Sequence, residues 1–288
     1  MGKIIILGHE NPDVDSIVSG YLLQKIMKKK GYSSEFVIPD NKIEQATLDI
    51  CRKNRLEPTK FMRKIDLENP ESKYILVDHN ERELGGKIVC IIDHHPTDKE
   101  PDIDNYYNQK ISSTACYICQ GNEDLLTKED LRLAIIATMV DTASFHSTKG
   151  RKEDKEWVLN ICDSHDLNYA ELYKEGLCLT SLENIKEVSL NGIKKYNYDG
   201  KKVESSYIQI ENPSLEENKI NQIINILKKY VVIEGIDAFV FIIHDMTKFK
   251  TMYFLITKDK IENRYYEMYT SRGNTIMPEV KRLLKTYK

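Results

Sequence analysis

The stretch KIIILGHENPDVDS, residues 3–16, joins an unbroken run of β-branched and leucine side chains to His9, Asp13 and Asp15. The run lacks the polar alternation of a half-exposed strand, so it predicts a strand covered on both faces, as in a parallel sheet. The residues that follow lie at the carboxyl end of that strand, where open α/β sheets bind their ligands. Two carboxylates held together there repel each other, and a cation among them turns the repulsion into coordination.

Two further runs repeat the pattern. KYILVD (73–78) ends at Asp78, which opens DHNE, and KIVCIID (87–93) ends in Asp93, His94 and His95. A short strand is predicted at SEFVI. Helices are predicted where Ile17, Tyr21, Leu22 and Ile26 recur up to a C-cap at Gly31, and across NKIEQATLDICRKN and KEDKEWVLNICDSH. TKEDLRLAIIATMVD opens on a near capping box of Thr127 and Asp130 and carries apolar residues to Asp141. The predicted class is α/β, an open and mainly parallel sheet with flanking helices.

From Lys194 the texture changes. A hairpin is predicted around Asp199-Gly200, then a long helix over SLEENKINQIINILKKYVV with Ser214 and Glu217 as its capping box. Strands DAFVFIIHD and TMYFLITKD and a short helix after Pro278 complete a smaller α+β domain. The expected division is 1–186, a linker at 187–193, and 194–288.

A formal net charge of −3 gives no bulk attraction to nucleic acid. The first apolar run is too short for a signal-peptide core, and nothing approaches the roughly 20 apolar residues of a membrane span. The expectation is a soluble cytoplasmic protein with reduced thiols. Cys116 and Cys119 form one C-x-x-C without a second pair or a His in zinc-finger spacing, which reads as helix packing.

The chemistry comes from four element ends that deliver carboxylates and imidazoles to one edge. Oxygen and imidazole donors without thiolates suit Mn²⁺, Mg²⁺ or Co²⁺, and so many donors exceed what one small ion takes while keeping water. Two cations are therefore expected, about 3.5–4 Å apart, sharing a carboxylate and supplying hydroxide at neutral pH for phosphoanhydride or phosphoester hydrolysis. Asp93 is expected to orient a neighbouring His; His79 reads equally as a supporting or a surface group. His146 and His165 are expected to be solvent-facing or locally satisfied.

GHENPDVDS, VDHNE, IDHHPTD and VDTASF, in this order and separation, resemble the four motifs of the DHH phosphoesterase superfamily. Within it they are most similar to the manganese-dependent family II inorganic pyrophosphatases, which join an N-terminal DHH domain to a C-terminal DHHA2 domain. The resemblance implies an active site in the cleft between the domains, with His9 and Asp13 on one Mn²⁺, Asp15, His94 and Asp141 on the other, and Asp78 bridging them. Co²⁺ or Mg²⁺ are the alternatives, and further Mg²⁺ accompanies the substrate. Asp13, Asp78 and His95 take catalytic roles, His95 facing the substrate phosphate. A homodimer and a small substrate, pyrophosphate or short polyphosphate, are implied as well.

In the second half, IKKYNYDGKKV is similar to the segment that supplies a phosphate-binding lysine, here Lys194. SRGNTIMP (271–278) sits where the family has Ser-Arg-Lys-Lys-Gln; Ser271 and Arg272 match as substrate-binding residues, and Gly273 and Asn274 replace both lysines. Two alternatives to a pyrophosphatase follow: an exopolyphosphatase or other DHH phosphoesterase, and a non-catalytic phosphate-binding module.

Overall fold

A computed structural model describes residues 3–39, 43–80, 82–95, 97 and 101–286. The chain forms two compact units, Met1–Phe145 with Lys149–Gly176, and His146–Thr148 with Leu177–Lys288.

The first unit is built on one parallel sheet of β1 (Ile4–Leu7), β2 (Ser34–Val37), β3 (Lys73–Val77), β4 (Lys87–Asp93) and β5 (Tyr106–Asn108). Its strand order is β2-β1-β3-β4-β5. The chain grows outward from β1 in both directions, so the order reverses between β1 and β3, and a crevice opens there beyond their carboxyl ends. The helices are α1 (Val14–Lys29), α2 (Gln45–Lys53), α3 (Thr114–Cys119), α4 (Lys128–Asp141), α5 (Lys152–Ser164) and α6 (Tyr169–Gly176). Residues 41 and 42 of the helix expected over NKIEQATLDICRKN lie outside the described residues.

Helix α1 starts where the Asp13 carboxylate accepts a hydrogen bond from the Ser16 amide at 3.1 Å. It stops at Gly31, whose φ of 84° suits glycine. There the Gly31 amide donates to Lys28 O and the Tyr32 amide to Met27 O, closing the last carbonyls. Ile17, Val18, Leu22 and Ile26 are buried along it, each worth about 1.5–3 kcal/mol of transfer free energy. The expected capping box of α4 is present, with Thr127 and Asp130 bonding each other's backbone. The buried Asp130 also receives the Lys25 ammonium at 2.6 Å.

Gly20 of α1 faces the Phe36 ring so closely that a Cβ there would lie 2.2 Å from two ring atoms. Gly20→Ala gains about 1 kcal/mol of helix propensity, but the overpacking costs about 1–3 kcal/mol. A net loss of up to about 2 kcal/mol is expected in denaturant unfolding, and a variant more stable than the parent would contradict this packing.

The second unit holds β6 (Lys194–Tyr198), β7 (Lys201–Ile210), β8 (Ala238–Asp245), β9 (Lys250–Ile256) and β10 (Ile261–Tyr266) in the order β10-β9-β8-β7-β6. The β7–β8 pair is parallel and the others antiparallel, so the sheet is mixed. Asp199 and Gly200 both have positive φ, 55° and 87°, the two-residue turn that matches strand twist. Its helices are α7 (Ile185–Val188), α8 (Glu217–Ile233) and α9 (Met277–Thr286). Ile220, Ile223, Leu227 and Val231 of α8 pack with Phe239, Phe241 and Ile243. Met277, Val280 and Leu284 of α9 pack with Val240, Ile242 and Leu255, which alternate with the first set along β8 and β9 and so lie on the opposite face.

Two expectations change here. Ser214 does not cap α8: Pro213 already starts a 3₁₀ turn over Pro213–Glu216, and the Ser214 hydroxyl donates to Asn212. Residues 187–193 do not stand apart as a linker, because Val188, Leu190 and Ile193 pack into the α8 core. The boundary between the units accordingly falls earlier, between Gly176 and Leu177.

Candidate metal centre

Each site residue of the first unit is placed by the element that ends or begins beside it. His9 follows β1, and Asp13 and Asp15 open α1, so one strand-to-helix connection supplies three donors. Asp78 follows β3 in the left-handed region at φ 63°, which an aspartate adopts more readily than most residues. His94 and His95 follow β4, and Asp141 is the last residue of α4. Glu81, Pro96 and Asp98, which complete the quoted motifs, lie outside the described residues.

The donor atoms converge. His9 Nε2 stands 3.6 Å from Asp13 Oδ1 and 3.6 Å from Asp78 Oδ2. His94 Nε2 stands 3.2 Å from Asp78 Oδ1, 3.7 Å from Asp141 Oδ2 and 3.8 Å from Asp15 Oδ2. Ligands about 2.1 Å from one octahedral cation are separated by about 3 Å, so these gaps are close to those of a coordination shell. Within each of the sets His9–Asp13–Asp78 and Asp15–His94–Asp141 the donors lie within 4.8 Å of one another. Asp78 turns one oxygen toward each histidine.

Hydrogen bonds from outside hold these donors. Carbonyl oxygens only accept, so Glu10 O at 2.8 Å and Ile111 O at 3.2 Å put the protons of His9 and His94 on Nδ1 and leave Nε2 to the crevice. The Asp15 carboxylate accepts the Thr114 and Ala115 amides of α3 at 2.8 and 2.9 Å, and Asp78 accepts the Thr114 hydroxyl at 3.2 Å. His95 is held differently: Asp93 Oδ1 takes its Nδ1 at 2.9 Å, that nitrogen lies 3.8 Å from Asp78 Oδ1, and its side chain is 42% exposed. Asp93 orients a histidine, as the sequence suggests.

Burial raises the Asp15 carboxyl above its ordinary value, and Asp141 and Asp13 add to this. Burial together with Asp15 and Asp13 raises Asp78 further still. Burial pulls His9 down, but Asp13 and Asp78 outweigh it and lift it to about 9. His79 is the opposite case, pushed down to about 4 by burial, with Nδ1 on Val77 O.

A divalent cation fits this arrangement on two grounds. His94 Nε2 and Asp141 Oδ2 are buried without a hydrogen-bond partner, an expense that coordination removes. The donor set is oxygen and imidazole with no thiol, the chemistry of Mn²⁺, Mg²⁺ or Co²⁺. Cys116 and Cys119 are fully buried in α3 with thiols raised by burial, as a packing role requires.

The second unit places Lys194 exposed at the start of edge strand β6. Arg272 begins a π-helical turn and donates from Nη1 to Gly192 O at 2.6 Å, which brings 271–272 beside the start of β6. Its guanidinium also lies 5.2 Å from the Tyr207 ring centre. His146 stacks on Phe249 within the same unit.

Thr114 and Lys149 carry parts of the site that the motifs do not name. Thr114 follows Ser113, the N-cap of α3, and the SST tract ahead of an apolar run was its available signal. Lys149 places its ammonium 2.6 Å from Asp141 Oδ1.

Residues 3–140 match the family described as DHH family, N-terminal domain. A manganese-dependent inorganic pyrophosphatase of Methanocaldococcus jannaschii is 26% identical over 269 residues, which cover 84% of this chain and 83% of that protein. One of Methanothrix thermoacetophila is 24% identical over 264 residues, covering 85% and 82%. A crystal structure of a candidate family II inorganic pyrophosphatase of Methanococcus jannaschii superposes with a TM-score of 0.66 at 24% identity, over 97% of this chain and 98% of that one. An exopolyphosphatase-related protein from Bacteroides fragilis gives 0.52 at 17% identity, over 98% and 94%. The two structures share the fold of this chain.

Proposed function

We propose that this chain, whose residues 3–140 match the DHH family, hydrolyses pyrophosphate to two phosphates at a pair of divalent cations, Mn²⁺ foremost. The carrying observation is Asp78, buried and aiming one oxygen at each of two donor sets. His9, Asp13 and Asp78 hold one cation; Asp15, His94, Asp141 and Asp78 hold the other. Bound there, such a pair polarises a phosphoanhydride and supplies hydroxide at neutral pH. His95, its ring set by Asp93, faces a phosphate oxygen of the substrate. Lys194, Ser271 and Arg272 are the anion contacts of the second unit. The names of the relatives support manganese and pyrophosphate alike.

A second reading, turnover of short polyphosphate or of a phosphoester, is favoured by one observation. Gly273 and Asn274 add no cation beside Arg272, and Arg272 commits part of its fork to Gly192 O. Phosphate release from pyrophosphate, tripolyphosphate, a cyclic dinucleotide and a nucleotide monophosphate, each with Mn²⁺, separates the readings. Pyrophosphate turned over at least about tenfold better than the rest, a gap of about 1.4 kcal/mol in barrier, is expected. A preference for tripolyphosphate or an ester selects the second reading, and no turnover of any compound rejects both.

A further inference from the structure

We infer that Lys149 is a positioning residue of the proposed metal centre, pinning Asp141 so that a single carboxylate oxygen faces the crevice. The inference rests on the reading of that crevice as a cation site. The Lys149 ammonium takes Asp141 Oδ1 at 2.6 Å, while Oδ2 of the same carboxylate is buried without a hydrogen-bond partner and points at His94 Nε2, 3.7 Å away. One oxygen is thus engaged by a fixed cation and the other is presented to the donor set that Asp15 and His94 complete.

The backbone reaches this arrangement through an unusual path. Ala143, Ser144 and Phe145, which follow the C-cap Thr142 of α4, all lie in the left-handed region, with φ of 47°, 54° and 67°. Residues with a Cβ avoid that region, and runs of them persist where the surrounding structure imposes them, most often at functional sites. As a stabilising ion pair the contact has little to offer, since the Lys149 side chain is 34% exposed and pairs of that kind contribute little. Its effect falls on Asp141.

Two consequences follow with opposite signs. A lysine charge beside the donors repels a dication, so it keeps cation affinity below what four carboxylates alone would give. Pinning Oδ1 also keeps Asp141 from chelating with both oxygens, which would fill the coordination position that substrate needs. Removing the ammonium therefore tightens cation binding and slows turnover. A lysine that merely held the loop in place would weaken both when lost.

The test titrates Mn²⁺ into metal-stripped parent, Lys149→Met, Lys149→Gln and Lys149→Arg proteins by calorimetry, with pyrophosphate turnover at saturating Mn²⁺ measured alongside. The Met and Gln variants are expected to bind Mn²⁺ about 3–10-fold more tightly and to turn over about tenfold more slowly, with Arg near the parent in both. The gain in affinity shrinks at high salt, as a charge effect must. Affinity that is unchanged or weaker in both neutral variants overturns the assignment. A parent that takes up no Mn²⁺ overturns the metal reading itself and this assignment with it. The two failures are distinguished by the parent titration alone.

Discussion

Asp78→Asn is expected to lower the proposed pyrophosphate turnover by about a thousandfold or more while leaving the fold intact. The substitution keeps the shape of a side chain that is 1% exposed. An amide, however, has one weakly donating oxygen, and its nitrogen cannot ligate, so it cannot serve His9 on one side and His94 on the other as the carboxylate does. Losing a shared ligand removes several kcal/mol of charge stabilisation, and about 4 kcal/mol is about a thousandfold in rate. The metal-free variant should not be less stable than the parent. Burial and the neighbouring Asp15 and Asp13 already make an ionised Asp78 unfavourable, so a neutral isostere relieves the crevice of one buried charge. Phosphate release at saturating Mn²⁺, paired with thermal unfolding in chelator, checks both halves. An Asp78→Asn protein within about tenfold of the parent, a barrier change of only about 1.4 kcal/mol, would remove the shared carboxylate from the mechanism.

The site's first layer is legible because it is local. Asp78 and His94 follow directly, and His9 and His95 one residue later, on strands whose apolar runs are visible by eye, and the parallel sheet brings those ends to one edge. The layer behind it is not legible, because it is made by distant segments. Thr114 reaches Asp15 across 99 positions of sequence, on a helix of six residues, too short to show a period. Lys149 meets Asp141 through a turn of positive-φ residues that no propensity favours. The strand β10 escapes for another reason: Asn263 and Arg264 lie exposed along a sheet edge, so IENRYY has the polarity of a loop. The stretch 187–193 misleads in the opposite sense. Its Ser, Asn and Gly suggest a connection, yet Val188, Leu190 and Ile193 are spent on the core. Close packing, rather than composition, decides which unit owns it.

Mn²⁺ is expected to raise the unfolding temperature of this protein, by a margin that widens as pH rises. In the metal-free protein Asp15 and Asp78 are lifted above the ordinary carboxyl value by burial and by neighbouring carboxylates. His9, which burial pulls down and Asp13 and Asp78 pull up more strongly, titrates near 9. Each of the three holds its proton more tightly folded than unfolded. Over the range from about pH 4 to about pH 9 these three groups therefore carry extra protons in the folded state, and their contribution to stability falls as pH increases, whereas His79, pushed down to about 4, and His244, pushed by burial down to about 3, act with the opposite sign below 6.5. The His9 contribution is complete below its unfolded value of 6.5 and is lost as pH passes through about 9. Asp13 has the reverse sign: burial would raise it, but His9 outweighs that and holds it low, so its contribution disappears only in acid, below this range. Mn²⁺ needs the same donors free of protons, so its affinity climbs while their contribution to metal-free stability declines. At a hundred times the dissociation constant the stabilisation is about 2.7 kcal/mol, or about 5–10 °C for units of this size. Unfolding temperatures in Mn²⁺ and in chelator at about pH 5.5, 7 and 8.5 should diverge steadily, since proton release accompanies binding. Parallel curves, or a gap that closes toward high pH, would mean that these carboxylates and His9 do not hold the ion.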